Sequence, residues 1–266
     1  MTKQDNRSVL QTGQPPCFEI PAMNRPDSAL LSRLASPIVE LRQYTLKPGQ
    51  RETLIALFDR EFVETQEATG MTVIGQFRDL DRPDMFVWIR GFEDMETRKN
   101  ALTAFYDGPA WAEHRDAANA TMIDSDDVLL LKPAWKDAGF DLSGLKRLST
   151  SEAENNSREG HLGSIIEISI HHLRPGTEAG FAERFRASAL PGHAANGARL
   201  LGAFVSAHAE NTFPRLPVRT GENVFIAVIG FGDDAAPAGS RGKLASPDLV
   251  RTEILRLSPT PRSLLR

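Results

Sequence analysis

The stretch IVELRQYTLKPG at residues 38–49 recurs 127 residues later as IIEISIHHLRPG at residues 165–176. Two further motifs recur in the same order, and the matched pairs are VIGQF (73–77) with LLGAF (200–204) and FVWIRGF (86–92) with FIAVIGF (225–231). VIGQF has the same offset as the opening stretch, 127 residues. FVWIRGF has an offset of 139, so the second copy contains an insertion of 12 residues before it. Three motifs that recur in order indicate an internal duplication.

Each copy has the pattern strand, helix, strand, strand, helix, strand. The first strand ends at a Lys/Arg-Pro-Gly turn, because Pro cannot extend a central ladder and Gly frees the backbone. In the first copy, Leu54, Phe58 and Phe62 recur at helical spacing. A second helical stretch, residues 95–122, is interrupted just before Pro109, which can open a new helix. The predicted fold class is therefore α+β, with two tandem ferredoxin-like (βαββαβ) repeats.

The pattern also predicts the organisation of the chain. The segments are an N-terminal arm (1–36), a first ferredoxin-like domain (37–134), a linker (135–163) and a second, degenerate domain (164–260). The arm is rich in proline, and the linker is rich in Ser, Asn, Glu and Gly. The second copy lacks an equivalent of residues 101–122, and its connection between strands is longer, at residues 206–223.

Composition excludes several classes of protein. The chain has 266 residues, a formal net charge of −4 and a pI near 5.9, which argues against a nucleic-acid partner. The single cysteine, Cys17, excludes an internal disulfide framework and a Cys-rich zinc site. Apolar runs are far shorter than the roughly 20 residues of a membrane helix, and the first residues lack the apolar core of a signal peptide. We expect a cytoplasmic protein with no membrane partner.

Side chains on the predicted strands alternate between an apolar and a polar or aromatic set. The apolar set is Val39, Leu41, Val73, Phe77, Val87, Ile89, Ile166, Ile168 and Ile170. Because a single sheet has one dry side, this set is expected to face the helices. The opposite face of the first copy would carry Glu40, Arg42, Tyr44, Gln76, Arg78, Trp88 and Arg90. In the second copy that face carries Glu167 and His171 among Ala, Val and Ile, so we expect it to be covered as well.

Residues 38–134 resemble the NIPSNAP family over nearly the full length of the family's domain. The resemblance rests on VELRQYTLKPG, on GMTVIGQFRDLDRPDMFVWIRGF and above all on FYDGPAWAEHRDAANATMIDSDDVLLL at residues 105–131. It implies a dimeric α/β barrel, in which two ferredoxin-like sheets pack face to face, and a homo-oligomer such as a dimer. The second copy lacks the Tyr-x-Gly-Pro-x-Trp and His-Arg-x-x-x-Asn motifs. The two copies could close one barrel within the chain, or each could pair with its equivalent in another chain.

A closed barrel would place the polar face of each copy around a cavity. One wall would be cationic, and the other would be mostly apolar with Glu167 and His171 as polar groups. Such a cavity suits a small organic ligand with an anionic or carbonyl end. The alternative is that Arg and Glu pair across the strands while the barrel is filled with side chains. Further candidate ligand-binding residues at the barrel mouth are Tyr106, Trp111, Arg115 and Asn119, which could equally be core anchors and a local helix pair.

Three hypotheses for function follow. The first, a NIPSNAP-family protein of unsettled activity, would bind a small molecule in the barrel. The second is an enzyme acting on a small aromatic or carbonyl metabolite, either as a cofactor-independent oxygenase or isomerase or with haem. The third is a purely structural or protein-interaction module.

The candidate catalytic residues are His171, His114 and Tyr44. His171 would be the base, with Arg42 or Arg90 stabilising an anion, and a haem-dependent variant would use His171 or His114 as axial ligand. Adjacent strand residues His171 and His172 point to opposite faces, so we predict no metal site.

Overall fold

The computed structural model describes Met1 and residues 34–158, 165–231 and 246–266. Most of the predicted N-terminal arm and residues 232–245 lie outside the described residues. Within the described ranges, no helix is long and apolar enough to cross a membrane.

The first copy contains the predicted order of strands and helices. The described residues of the second copy contain its four strands and the helical segment after the first strand, whereas the position of the predicted second helix, residues 232–245, lies outside the described residues. In the first copy the elements are β2 (Ile38–Leu46), α1 (Arg51–Leu57), a π-helical turn (Phe58–Phe62), α2 (Val63–Glu67), β3 (Thr72–Asp79), β4 (Met85–Phe92), α3 (Met95–Tyr106), α4 (Pro109–Thr121) and β5 (Met122–Pro133). In the second copy they are β7 (Ile165–Leu173), α6 (Glu178–Arg184), a π-helical turn (Phe185–Ala189), α7 (Leu190–Ala195), β8 (Arg199–Ser206), β9 (Val224–Phe231) and β10 (Leu249–Pro259). A short strand β1 (Leu34–Ala35) pairs with β6 (Phe140–Asp141), and α5 (Thr150–Arg158) follows in the linker.

Local sequence explains the break between α3 and α4. Asp94 caps α3 by accepting a hydrogen bond from the backbone N–H of Thr97 at 2.6 Å. The helix ends at Tyr106, and Pro109 opens α4, as the sequence predicts. The π-helical turns, which stand at equivalent positions in the two copies, were not predicted.

Eight strands close into a single antiparallel barrel in the order β10-β3-β4-β2-β5-β8-β9-β7. The last strand of each copy pairs with the first strand of its own copy and the second strand of the other. At the contacts between copies, Leu131 of β5 lies opposite Ser206 of β8, and Leu257 of β10 lies opposite Asp79 of β3. The α+β prediction is confirmed, and the barrel closes within one chain.

Apolar side chains from both copies fill the barrel. The buried cluster includes Val39, Leu41, Phe77, Val87, Ile89, Leu129, Leu131, Ile166, Ile168, Ile170, Phe204, Ile226, Val228, Leu255 and Leu257. Phe140 of the linker joins this cluster, with its ring centroid 4.7 Å from that of Phe204. Burial of each large apolar side chain contributes about 1.5–3 kcal/mol, so the interior is a main source of stability.

The predicted orientation of the two sheet faces is therefore wrong. The apolar set faces the barrel axis, whereas Tyr44 and Trp88 pack with Phe58 and Phe62 under the helices of the first copy. Val73 is the exception, because a β-bulge turns it to the helix side. In a closed barrel both faces are dry, and only the helix layer offers polar partners to buried polar side chains. Coverage of both faces was predicted correctly.

The repeated Gly-x-Phe of VIGQF and LLGAF gives a test of the filled barrel. A Cβ at Gly75 would lie 2.3 Å from Cζ of Phe77, and one at Gly202 would lie 2.7 Å from Cε2 of Phe204. Overpacking costs about 1–3 kcal/mol, so Gly75→Ala and Gly202→Ala should each lower the free energy of unfolding in urea by that amount. Gly192→Ala, where nothing lies within 4 Å, is the control. Unchanged stability of both barrel variants would contradict the filled interior.

Candidate functional site

The register of β2 against β4 brings polar side chains together under the helices of the first copy. Glu40 lies opposite Arg90, and Arg42 lies opposite Trp88. Glu40 and Arg90 are each 0% exposed, and Arg42 is 1% exposed. Arg98, also fully buried, reaches the same point from α3. We call these four charged residues, Glu40, Arg42, Arg90 and Arg98, the arginine cluster.

Glu40 is the centre of the arginine cluster. Its Oε2 accepts hydrogen bonds from Nη1 of Arg42 and Nε of Arg90, both at 2.8 Å. Its Oε1 accepts from Nε of Arg98 at 2.6 Å. Burial by itself would raise the pKa of Glu40, but the three guanidinium groups outweigh it and hold that pKa well below its usual range. Glu40 is therefore a permanent anion at neutral pH.

The arginine cluster has more positive than negative charge. Its other hydrogen-bond acceptors are neutral. The shortest of these contacts are to Tyr44 Oη from Arg42 (3.1 Å), to Gln66 Oε1 from Arg90 (3.2 Å) and to Asn211 Oδ1 from Arg98 (3.0 Å). Longer contacts reach the Ser125 carbonyl, Met71 Sδ and Thr212 Oγ1. One carboxylate thus faces three guanidinium groups, a formal excess of two positive charges among these residues. Uncompensated charge is costly in a dry environment, so the arrangement favours a further anion.

Three buried donors in the same place lack a partner. Trp88 Nε1, Arg90 Nη2 and Arg98 Nη2 form no hydrogen bond with the described residues, although the Tyr106 hydroxyl lies near the Arg90 guanidinium group. The Trp88 ring lies close to two guanidinium groups, with Cζ of Arg42 and of Arg90 at 5.5 and 5.0 Å from its centroid. All three groups can only donate. Since buried polar groups are nearly always paired, they indicate a missing acceptor.

A small aromatic cavity adjoins the arginine cluster. It has a volume of about 30 Å³ and is lined by Tyr44, Phe58, Phe62, Trp88, Tyr106 and Trp111 together with neighbouring residues. Such a volume holds one or two water molecules. The rings of Tyr106 and Trp111, with centroids 4.9 Å apart, form one wall. Burial raises the pKa of Tyr106, so its hydroxyl stays protonated at neutral pH.

Six of the predicted ligand-binding residues come together here: Arg42, Tyr44, Trp88, Arg90, Tyr106 and Trp111. Gln76 is buried, and its amide donates to Asp59 Oδ1 at 3.3 Å. Arg78 lies apart at the surface, where its guanidinium pairs with Glu52 at 2.7 Å.

The remaining candidates on α4 lie at the surface. Arg115 is exposed and pairs with Asp116 at 3.4 Å, and Asn119 is exposed as well. His114 lies 3.5 Å from a carboxylate oxygen of Glu61 and beside the Phe62 ring. The ligand-binding role of Arg115 and Asn119 and the catalytic role of His114 stay predictions.

Glu167 and His171 lie in the helix layer of the second copy. The His171 ring has centroid distances of 5.1 and 6.0 Å to Phe181 and Phe225, and its Nδ1 is 3.1 Å from Thr252 Oγ1. Burial lowers the pKa of His171 to about 4, so the ring is neutral at pH 7. The neighbours of His171 belong to the buried cluster of the second copy, which is separate from that around Trp88. His171 therefore does not share a site with Arg42 or Arg90, as its expected role as a base requires. Packing of the His171 ring against Phe181 and Phe225, which also contact each other, does not fit an axial haem ligand.

Four contributors to this region were missed. Arg98 falls on the face of α3 that carries Leu102 and Phe105, so its helical spacing could have revealed it. Gln66 likewise continues the spacing of Phe58 and Phe62. The other two, Asn211 and Phe213, come from the connection at residues 206–223, where no periodic pattern points to them.

A larger cavity, about 290 Å³, lies between residues 206–210 and 218–222. Its cation, Arg219, is already paired with Asp127 at 3.0 Å and Glu222 at 2.5 Å. Charge compensation makes it a weaker candidate for an anion than the arginine cluster. In the part of the chain that the structure describes, no group of three His, Cys, Asp or Glu side chains could hold a metal ion.

Comparison with known proteins agrees with this architecture, that of the dimeric α/β barrel proteins. Residues 39–135, which span nearly all of the first copy, match the NIPSNAP family model. No curated protein sequence matches the chain.

Two solved structures resemble nearly the whole chain. One is a provisionally assigned monooxygenase from Lactobacillus acidophilus, with 13% identity, TM-score 0.51, and 85% of this chain and 94% of that chain covered. Another, from Fusobacterium nucleatum and also provisionally assigned as a monooxygenase, has 10% identity, TM-score 0.51, and coverage of 85% and 93%. A NIPSNAP-family protein of unknown function from Agrobacterium tumefaciens matches 37% of this chain and 89% of its own, with 20% identity and TM-score 0.35. At these identities the first two establish the fold alone.

The buried carboxylate gives a first test of the arginine cluster. Glu40→Gln would leave three buried guanidinium groups without an anion, so it should lower the free energy of unfolding by about 3–5 kcal/mol in denaturant titrations. Glu52→Gln, which breaks the exposed pair with Arg78, should change it by less than about 1 kcal/mol. Equal effects of the two variants would show that Glu40 does not hold the cluster together.

Asp59, in the π-helical turn, gives a test of pH dependence. Burial raises the pKa of Asp59 to about 6, against the opposing charge of Arg262. The folded protein therefore keeps the proton of Asp59 at pH values where the unfolded chain has lost it, above about pH 4. The protonated carboxyl favours the folded state, and this contribution to stability is lost as pH rises through about 6. From pH 4.5 to 7.5 the wild type should lose about 2 kcal/mol of unfolding free energy relative to Asp59→Asn. A pH-independent difference between them would contradict the shift.

Proposed function

We propose that the protein binds a small organic anion, or a carbonyl compound, between the sheet and the helices of its NIPSNAP domain. The observation that carries this proposal is the excess of buried positive charge beside three donors without an acceptor. Guanidinium groups bind carboxylates with charge-assisted, often bidentate hydrogen bonds. A carboxylate oxygen near Arg90 and Arg98 would supply both the missing charge and the missing acceptor.

The walls of the site indicate the rest of the ligand. Tyr106 and Trp111 lie against Phe62 and Phe105, so a ligand that enters the cavity meets mainly ring edges and faces. Aromatic side chains favour planar, apolar partners. The cavity of about 30 Å³ is smaller than any organic ligand, so entry requires an outward shift of this wall. The favoured ligand is a small aromatic or conjugated carboxylate.

An enzyme of the cofactor-independent oxygenase or isomerase type is the second candidate. Tyr44 favours it, because its hydroxyl accepts a hydrogen bond from Arg42 and its ring lines the cavity. A phenol beside guanidinium groups could stabilise the oxyanion of an enolised carbonyl ligand. The names of the two monooxygenase-like neighbours accord with such chemistry, but their likeness concerns the fold. This enzyme candidate is tested by adding an aromatic ketone in deuterated water. NMR then measures whether the protein catalyses deuterium uptake at the carbon next to the carbonyl.

Intrinsic fluorescence provides the binding test. Trp88 and Trp111 line the cavity, and Trp135→Phe removes the third tryptophan of the chain. In this background benzoate should change the emission, and the isosteric but neutral benzamide should bind at least about tenfold more weakly, since hydrogen bonds to charged groups contribute about 1.5–3 kcal/mol.

Arg98→Met should weaken benzoate binding about tenfold or more. The matched control Arg78→Met removes the same charge at the surface and should leave the affinity unchanged. Benzamide binding as tightly as benzoate, or equal affinities in the two arginine variants, would contradict the proposed site. Mass spectrometry of small molecules that co-purify with the protein would then identify a different ligand class.

A further inference from the structure

The long connection of the second copy, residues 206–223, reaches the arginine cluster of the first copy. Asn211 Oδ1 accepts a hydrogen bond from Arg98 Nη1 at 3.0 Å. The neighbouring Thr212 donates from Oγ1 to the backbone carbonyl of Met95, at the start of α3, at 3.0 Å. The connection is thus attached to the helix that supplies the third guanidinium group.

Asn211 is held rigidly, and it is neutral. Its Oδ1 also accepts from the backbone N–H of Phe213 at 3.1 Å, and its Nδ2 donates to the carbonyl of Leu216 at 2.9 Å. The amide therefore fixes the direction of the Arg98 guanidinium group without neutralising it. Arg98 Nη2 remains without a partner among the described residues, so it is available to a ligand.

Phe213 supports the aromatic wall from behind. It is 6% exposed and stacks on Tyr106, with centroids 5.9 Å apart and planes at 30°. Tyr106 in turn contacts Trp111, and both line the cavity. A displacement of Phe213 would free Tyr106 to move outward and would open the cavity.

We propose that the ligand site of the first copy is completed by the second copy, with Asn211 and Phe213 as its positioning residues. Asn211 directs Arg98 toward the ligand carboxylate, and Phe213 holds Tyr106 against the ligand ring. This inference rests on the proposed function, and it specifies an aromatic carboxylate as the ligand class. It also gives the longer connection of the second copy a role that the shorter connection of the first copy does not have.

Asn211→Asp tests the role of Asn211 by charge. A carboxylate at this position would pair with Arg98 and would repel a ligand anion. Its size and its contacts with Arg98 and the Phe213 N–H are kept, and only the donation to the Leu216 carbonyl is lost. In the Trp135→Phe background it should weaken benzoate binding at least about tenfold, with Tm changed by only a few degrees. Thr220→Asp adds the same charge at an exposed position of the same connection and should change the affinity by less than about twofold.

Phe213 is tested without a ligand. Acrylamide quenching of Trp88 and Trp111 in the Trp135→Phe background should increase about twofold in Phe213→Ala, because the wall opens. Phe213→Leu keeps an apolar side chain and should give a smaller increase, and it replaces Phe213→Ala if that variant does not fold.

The outcomes separate the two proposals. If the wild type binds benzoate and Asn211→Asp binds it equally well, the completed site is overturned while the proposed function stands. The same follows if no Phe213 variant alters the quenching. A wild-type protein that does not respond to benzoate would overturn the proposed function and this inference with it.

Discussion

Barrel closure across the two copies is the constraint on which the other features depend. The pairs β5–β8 and β10–β3 are the two places where the sheets of the copies meet, and without them each sheet would have one wet face. Closure makes both faces dry and leaves the interior mainly to side chains from the strands, with Phe140 of the linker added. Only apolar side chains can fill such a space without unpaired polar groups, so Phe77 and Phe204 occupy it, each beside a glycine of its own strand.

Polar side chains are consequently confined to the helix layers, and the two copies use these layers differently. In the first copy the layer holds Glu40 among three guanidinium groups. In the second copy the equivalent layer is apolar around Ala227 and Ile229, with Glu167 buried and His171 neutral against two phenylalanine rings. The second copy contributes to the first through the barrel pairing and through the contact between Asn211 and Arg98. The first copy thus carries the arginine cluster, and the second copy closes the barrel and contributes Asn211 to that cluster.

Features set by local periodicity could be predicted from the sequence, whereas contacts between residues far apart in the chain could not. Alternation along β2 and β4 correctly placed Glu40, Arg42, Trp88 and Arg90 on one face, because that period is local. The direction of that face was wrong, since it depends on barrel closure by strands far apart in sequence. Asn211 reaches Arg98 over 113 residues of chain, and no local pattern predicts such a contact. The π-helical turn at 58–62 kept its apolar stripe and so resembled an ordinary helix.

The central claim is that the anion site lies under the helices and not inside the barrel. A crystal structure with bound 4-iodobenzoate tests it directly, because iodine gives an anomalous signal that locates the ring. We predict an iodine peak beside Tyr106 and Trp111, with carboxylate density within hydrogen-bond distance of Arg90 and Arg98. An iodine peak between Phe77 and Phe204 in the barrel, or only in the cavity beside Arg219, would contradict the account.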